Sequence, residues 1–331
     1  MDFVLTWVDN HDEAWLSDYR KYRKEGQSGT HAARFRDWEN LRYWFRGVEQ
    51  FAPWVDKIYF VTYGHLPSWL NTDHPKLKVV GHQDFIPSKY LPTFNSRTIE
   101  LNLHRIHGLS SDFVYFNDDM FLIDAVEPEF FFKDGKPCDR AITLPISGVD
   151  TYSHTFLSNI LVLNKHFNKT QSMREKPSNW FHWKYGKSNF LNALLWIVNR
   201  GYFPGFVNYH LPQAFKKEIF ALLWEKEAEV MDYSCSFKFR EESTVNAYLI
   251  RYWQLASNTF HPVKLTDKGL RFSFRTDEFP EQAASCIRKQ KRAIICINDY
   301  ESLQAFEEFK ARINAAFEEI LPKRSAFEKQ A

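Results

Sequence analysis

The stretch Val114-Tyr115-Phe116-Asn117-Asp118-Asp119-Met120-Phe121 decides how this chain is read. Its first residues have strand character, its last two return to apolar, and between them stand two adjacent carboxylates. Side by side and directly after a buried strand, such acids repel each other and lose hydration unless a cation lies close by. Working outward, Asp2–Asp9 reads as a buried first strand, and Lys57–Gly64 and Leu77–His82 as two more. Between them Leu41, Trp44, Phe45 and Val48 recur at the spacing of an amphipathic helix over residues 37–51. Ser96–His107 is helical with Ile99, Leu103 and Ile106 on one face, and Ala141–Ile146 is a further strand. Strands alternating with helices imply a largely parallel sheet covered on both faces.

The middle of the chain differs. Residues 185–260 read mostly as helix, interrupted by a Gly/Pro loop around the strand-like stretch Phe203–Tyr209. Within it Phe190–Val198 is the longest apolar run, far short of a membrane span, and its composition predicts a buried helix. Ala293–Asp299 returns to strand, and Glu301–Leu321 is a long helix stopped by Pro322. The expected architecture is α/β, with a nucleotide-type core over residues 1–160. A mostly helical insertion (161–290) and a C-terminal strand and helix (291–331) complete it.

Composition sets bounds. The chain has 331 residues, is 44% apolar and carries a formal charge of +2, too little to argue for a nucleic-acid partner. Its 31 Phe, 15 Tyr and 11 Trp are first of all core, with sugar stacking or a membrane interface as minor uses. The four cysteines form no CxxC pair, which argues against zinc and a disulfide framework and fits a reducing compartment. The N-terminus lacks the pattern of a signal peptide. The expectation is a cytoplasmic protein with at most peripheral membrane contact, for which the basic run Arg288–Arg292 is the candidate and a solvated face the plainer reading.

In open α/β sheets ligands bind beyond the carboxyl ends of strands. Acids or amides stand at three such ends: Asp9, Asn117-Asp118-Asp119 and Asn298-Asp299. One Asp after a strand is ordinarily a turn former; three together suit Mg²⁺ or Mn²⁺ held by carboxylates against substrate phosphates. Arg34, Arg36 and Arg42 around a helix start, and Arg240 in a polar loop, are candidate phosphate clamps beside their plainer role on a solvated surface. His210, stiffened by the Leu211-Pro212 that follows, is a candidate general base. P-loop, dinucleotide and Gly-x-Ser-x-Gly signatures are missing from the sequence.

Taken together these motifs resemble the Stealth family of sugar-phosphate transferases. The resemblance runs through four blocks: DFVLTWVDN from Asp2; RFRDWENLR from Arg34 through VYFNDDMF; YHLPQAFKKEIF from Tyr209 through FKFREES; and ICINDYE from Ile295 through PKRSAFEK. Two departures stand out: Asp9 is followed by Asn10-His11-Asp12, and Gln213-Ala214 occupies a place where the family often carries a second His. The resemblance implies that the α/β core is a nucleotide-sugar-binding one of the GT-A or Rossmann type. It also implies transfer of a hexose- or N-acetylhexosamine 1-phosphate from a UDP-sugar to a hydroxyl of an oligosaccharide or polysaccharide, lipid-linked acceptors included. It makes Asp118, Asp119 and Asn298 the metal shell and His210, Arg240 and Asp118 the catalytic groups. Substrate binding falls to Asp9, Arg36, Asn95, Arg97, Asn117 and Asp299. Two rivals are a metal-dependent GT-A glycosyltransferase that releases UDP and a non-catalytic sugar-binding protein. The catalytic readings need these side chains to converge; the binding module does not.

Overall fold

The computed structural model describes residues 1–23, 36–149, 151–198, 201–274, 280–299 and 305–330. In chain order the elements are β1 (Asp2–Thr6), α1 (Glu13–Tyr22), α2 (Leu41–Phe51), β2 (Ile58–Thr62), β3 (Leu77–Gly81), α3 (Ser96–Asn102), β4 (Asp112–Asn117), β5 (Met120–Leu122), β6 (Phe132–Lys133) and β7 (Lys136–Asp139). There follow α4 (Thr151–His166), α5 (Lys169–Glu175), α6 (Pro177–Trp180), α7 (Asn189–Val198), β8 (Gln213–Lys216), α8 (Lys217–Lys226), α9 (Ala228–Ser236) and α10 (Tyr248–Ala256). The chain closes through β9 (His261–Pro262), β10 (Gly269–Ser273), α11 (Pro280–Arg288), β11 (Ile294–Asn298) and α12 (Phe306–Ile320).

The main sheet has the order β3-β2-β1-β4-β8. The first four strands are parallel, and β8 runs antiparallel to β4. Period-two alternation sends the side chains of each strand into two cores. Phe3, Leu5, Ile58, Phe60, Val114 and Phe116 pack on one face, whereas Val4, Tyr59, Val61, Phe113 and Tyr115 pack on the other. Both faces are therefore buried, the condition under which parallel sheets occur. The chain leaves β1 toward β2 and β3 and then returns across β1 to β4. Thr6 pairs with Asn117, so the segments after β1 and β4 emerge at the same sheet edge, at the switch point where such folds bind ligands.

A second, three-stranded sheet, β10-β11-β5, stands beside this edge. Here β5 is antiparallel to β11, with Met120 opposite Cys296. Asp118-Asp119 is thus the joint between two sheets: the chain leaves the main sheet at Asn117 and enters the second at Met120. Apolar residues flank the acids on both sides because each flank is a buried strand.

Several expectations need correction. The single sheet expected is two, and the C-terminal strand β11 completes the core through the second of them. The expected strand Ala141–Ile146 keeps one bridge, Thr143 to Phe206, with backbone bonds from Leu144 to Gly205 and from Val207 to Ile142. Pro145 and Pro204 lack the N–H groups that would extend the pairing. The strand-like stretch Phe203–Tyr209 of the Gly/Pro loop makes only this same irregular contact. In the segment read as helical, four residues form β8 against β4, too few for periodicity to reveal. The Ser96–His107 helix ends at Asn102 and continues only as a 3₁₀ turn to Arg105. The charged segment after β1 forms α1, capped by the Asp12 side chain accepting from Trp15 N. The C-terminal helix spans Phe306–Ile320; the start expected at Glu301 lies outside the described residues. Finally, the apolar run Phe190–Val198 is a helix but not a buried one: of α7 only Asn192 is buried.

Candidate active site

β4 and β11 bring Asp119, Cys296 and Asn298 together with His210, which lies three residues before β8. Asp119 Oδ2 lies 3.0 Å from His210 Nε2. It also accepts from Asn298 Nδ2 at 3.2 Å and from Cys296 Sγ at 3.4 Å. The backbone completes the junction, since Ile297 N donates to Asp119 O at 2.8 Å. Asp119 Oδ1, by contrast, is buried and has no hydrogen-bond partner among the described residues. A buried acceptor left open is costly in an empty site and is accounted for when a cation or ligand occupies the cleft.

Electrostatics separate the two acids. Burial alone would raise the Asp119 carboxyl, but the charge and hydrogen bond of His210, helped by Asn298 and Cys296, bring it below the ordinary aspartate value. Asp118 goes the other way. Its residue surface is exposed, yet crowding by the surrounding protein, the Asp119 charge and, more weakly, the Asp37 charge push its carboxyl up to about 7. Burial and the Asp119 charge raise the Cys296 thiol well above its usual range, so it stands as a neutral donor. Because a carboxylate accepts from His210 Nε2, that nitrogen carries the proton and Nδ1 is the basic one.

Around this centre the remaining sequence candidates take distinct positions. Asp299 follows Asn298 and receives Arg36 Nη1 at 3.5 Å; the Arg36 guanidinium also lies over the Phe306 ring. Asn298 offers its amide N–H to Asp119 while its oxygen accepts from Arg271 at 3.2 Å, so it helps to position Asp119. The Asn117 oxygen accepts from the Tyr115 hydroxyl at 2.6 Å, which in turn lies 3.1 Å from Thr6 Oγ1. Asp9, in the loop after β1, accepts from His11 N at 2.8 Å, and its own N–H donates to His65 Nε2 at 2.7 Å.

Arg240 belongs to a neighbouring layer. It donates to Ser96 Oγ at 2.7 Å and to the Tyr152 hydroxyl at 3.3 Å. Asn95 and Arg97 lie buried beneath it. Asn95 Nδ2 donates to Phe237 O at 3.2 Å, and Arg97 Nη1 donates to Thr244 Oγ1 at 2.6 Å and to Glu241 O. Both fasten the 237–244 loop that carries Arg240. The two layers share a field, for the buried Tyr115 feels the charges of both Asp118 and Arg240. Arg34 lies outside the described residues. Arg42 stacks over Trp69, and Arg288 of the basic run pairs with Glu281 and Glu319.

Sequence reasoning missed Cys296 and Asp37. Cys296 had a signal: two residues before Asn298 on one strand, it must share that residue's face. Asp37, whose charge adds to the rise at Asp118, had none. Asp119, His210 and Cys296 each offer one ligand atom, and these lie within 4.8 Å of one another. A surface cavity lined by Asn168, Thr170, Arg174 and Gly201 contains none of these residues.

Comparison with known proteins identifies the group to which this arrangement belongs. Residues 34–139 match Stealth protein CR2, conserved region 2. A capsular polysaccharide phosphotransferase WcwK of Streptococcus pneumoniae is 40% identical over 334 residues, covering 100% of this chain and 98% of that protein. This chain belongs to the Stealth family. Other relatives of this Stealth protein include the exopolysaccharide phosphotransferase cps2G of Lactiplantibacillus plantarum, 37% identical over 99% of this chain and 96% of the relative. The receptor polysaccharide phosphotransferase WefC of Streptococcus gordonii is 36% identical over 99% and 98%. Aligned end to end with named phosphotransferases, the Stealth chain is an enzyme of that class. The solved galactosyltransferase LgtC, in complex with donor and acceptor sugar analogs, aligns over 95% of this chain at 10% identity and a TM-score of 0.38, too slight a likeness to carry weight.

Proposed function

We propose that this enzyme transfers a hexose- or N-acetylhexosamine 1-phosphate from a UDP-sugar to a sugar hydroxyl. UMP leaves, and the product is a phosphodiester of capsule or other cell-surface polysaccharide made in the cytoplasm. The observation that carries the reading is the division of labour at Asp119. Oδ2 is saturated by His210, Asn298 and Cys296, while Oδ1 is left open in a buried position beside Asp118. One oxygen orients an imidazole; the other has no hydrogen-bond partner among the described residues.

In this reading the acceptor hydroxyl attacks the β-phosphorus, and the bond from that phosphorus to the oxygen it shares with UMP breaks. The anomeric carbon–oxygen bond is untouched. His210 Nδ1 takes the hydroxyl proton, with Asp119 holding Nε2–H and steadying the imidazolium, as an acid does for a histidine base. The hard oxygens of Asp118 and Asp119 Oδ1 fit Mg²⁺ or Mn²⁺. The neutral Cys296 thiol does not supply the thiolate that a softer metal would favour. A divalent cation there would offset charge on the donor pyrophosphate and on departing UMP. Arg240 meets the phosphates, with Asn95 and Arg97 fixing its loop; Arg36 and Asp299 flank the donor, and Asp9 and Asn117 line the edge of the switch-point crevice.

The decisive experiment follows the phosphorus. Incubation with β-³²P-labelled UDP-sugars, an oligosaccharide acceptor and Mg²⁺ is expected to leave the label in an acceptor phosphodiester, with UMP as co-product. Label retained in UDP while the acceptor gains an unphosphorylated sugar would overturn the proposal in favour of glycosyl transfer. Since hydrolysis by water also yields UMP, the acceptor product is the readout.

A further inference from the structure

The helix α7 is apolar on its outward side as well as on its inward one, where Trp196 packs against the core. In a helix on a soluble surface the apolar stripe faces the core and the polar one faces water. Here the inward side also holds a polar anchor. Asn192 is fully buried, donating to Ala141 O at 2.7 Å and to Trp180 O at 2.6 Å. Its oxygen accepts from Thr143 N at 2.8 Å and Thr143 Oγ1 at 2.9 Å. The outward face is apolar: Phe190 is 71% exposed, Leu194 43%, Ile197 68% and Val198 71%. These stand at i, i+4, i+7 and i+8, one continuous stripe. Exposed Trp183 precedes the helix and exposed Tyr202 follows it.

We propose that α7 is an interfacial anchor that lies in the surface of an anionic lipid bilayer. Three observations select that occupant. First, charge: residues 174–187 hold four Lys or Arg, none of them buried (Arg174, Lys176, Lys184 and Lys187), against one acid, Glu175, while the whole chain is only +2. Lys184 and Lys187 stand in the turn leading into the helix, and Lys184 lies over the Trp183 ring. A cation-rich, aromatic-flanked apolar face matches an anionic headgroup layer above acyl chains. A second copy of the chain docking the same face would set these cations against themselves. Second, length: ten residues of helix cover about 15 Å, half of a hydrocarbon core, and among the described residues no helix is long and apolar enough to cross a membrane. The helix therefore lies in the interface plane. Third, connection: Arg140 Nη2 donates to Tyr185 O at 2.9 Å and to Ser188 Oγ at 2.7 Å, both in the turn before α7, while Nη1 donates to the Tyr209 hydroxyl at 2.6 Å. Tyr209 precedes His210. The anchor is tied through one buried side chain to the residue beside the imidazole, so a bilayer on α7 would bring membrane-borne acceptors within reach of the cleft.

The test is co-sedimentation of the full chain with vesicles. Vesicles of phosphatidylglycerol and phosphatidylcholine are expected to pellet the protein, and pure phosphatidylcholine or high salt to weaken binding at least roughly tenfold. The pair Leu194→Glu and Ile197→Glu is expected to weaken it by a similar or larger factor, as is the pair Lys184→Glu and Lys187→Glu. Because all these side chains except Lys184 are exposed, far-UV circular dichroism and thermal midpoint should hold, and transfer to a water-soluble acceptor should persist. No sedimentation with anionic vesicles would overturn the proposal. So would a dimer in solution that the apolar-face variants convert to monomer while vesicle binding is unchanged, since a second copy would then be what covers α7.

Discussion

At the scale of single residues, the two acids of the sheet junction respond oppositely to their surroundings, and that makes them separable by experiment. Asp118, with its carboxyl pushed up to about 7, holds its proton more firmly folded than unfolded. Its contribution to stability is therefore full in acid, below the unfolded aspartate pKa, and is lost as pH rises through 7. Asp118→Asn should accordingly raise the melting temperature of the metal-free protein more at pH 8 than at pH 5.5. The wild-type curve alone would mislead. The buried His82 and the partly buried His104 are both depressed to about 3, chiefly by loss of hydration, so each favours folding above its unfolded pKa and is lost as pH falls. The difference between variant and wild type isolates Asp118, and a difference independent of pH would contradict the assignment. For His210, loss of general-base assistance is expected to cost about 10²–10⁴-fold in turnover. His210→Ala should lower kcat in that range with donor KM nearly unchanged; a fall confined to KM would move His210 from proton transfer to donor binding.

Among elements, the site depends on how α2 seats β5. Gly47 lies in α2 against the backbone of β5, and a Cβ there would meet Leu122 O at 2.7 Å. Backbone cannot swing aside as a side chain can, so Gly47→Ala must push helix and strand apart. The expected cost is about 1–3 kcal/mol of stability, with a fall in turnover larger than stability alone explains, because β5 begins at the residue after Asp119. Chemical denaturation compared with kcat checks this: unchanged stability would mean that α2 yields without strain. The elements also mark where periodicity informs and where it cannot. The stripe Leu41, Trp44, Phe45 and Val48 is buried as its spacing requires. The apolar content of α7 reads as core, yet Phe190, Leu194, Ile197 and Val198 stay exposed, because content does not say which way a helix turns and Asn192 has a buried polar socket to fill. β8 escapes notice for a different reason: four residues give too few alternations to stand out from the helix that follows.

The whole molecule is closed by a buried ion pair far apart in sequence. Arg46, in α2, donates from Nε to Glu328 Oε1 at 2.7 Å and from Nη2 to Oε2 at 3.0 Å, and from Nη1 to Leu321 O at 2.8 Å. Removing one partner strands a buried charge, so Arg46→Ala is expected to destabilise by about 3–5 kcal/mol, whereas replacing both partners with apolar residues is expected to cost much less. A double-mutant cycle by thermal denaturation tests the pair. If Arg46→Ala proves nearly neutral, the C-terminal tail is held by Phe327, itself buried against Phe45, and not by the ion pair.

By itself the sequence determined the α/β class, the strands β1 to β4 and β11, the acid pair at a strand end and, through its motifs, the Stealth family. These follow from periodicity and from residues adjacent in the chain, which are local properties. Only the tertiary structure decided that Asp118-Asp119 joins two sheets, that His210, Asn298 and Cys296 share one carboxylate oxygen, and that Asn192 of α7 is buried against Ala141 and Thr143 while an apolar stripe stays exposed. Each of these is a contact between segments tens to hundreds of residues apart. Pairing of that kind is set by which faces the sheets and helices bury against one another, and no single segment carries that information.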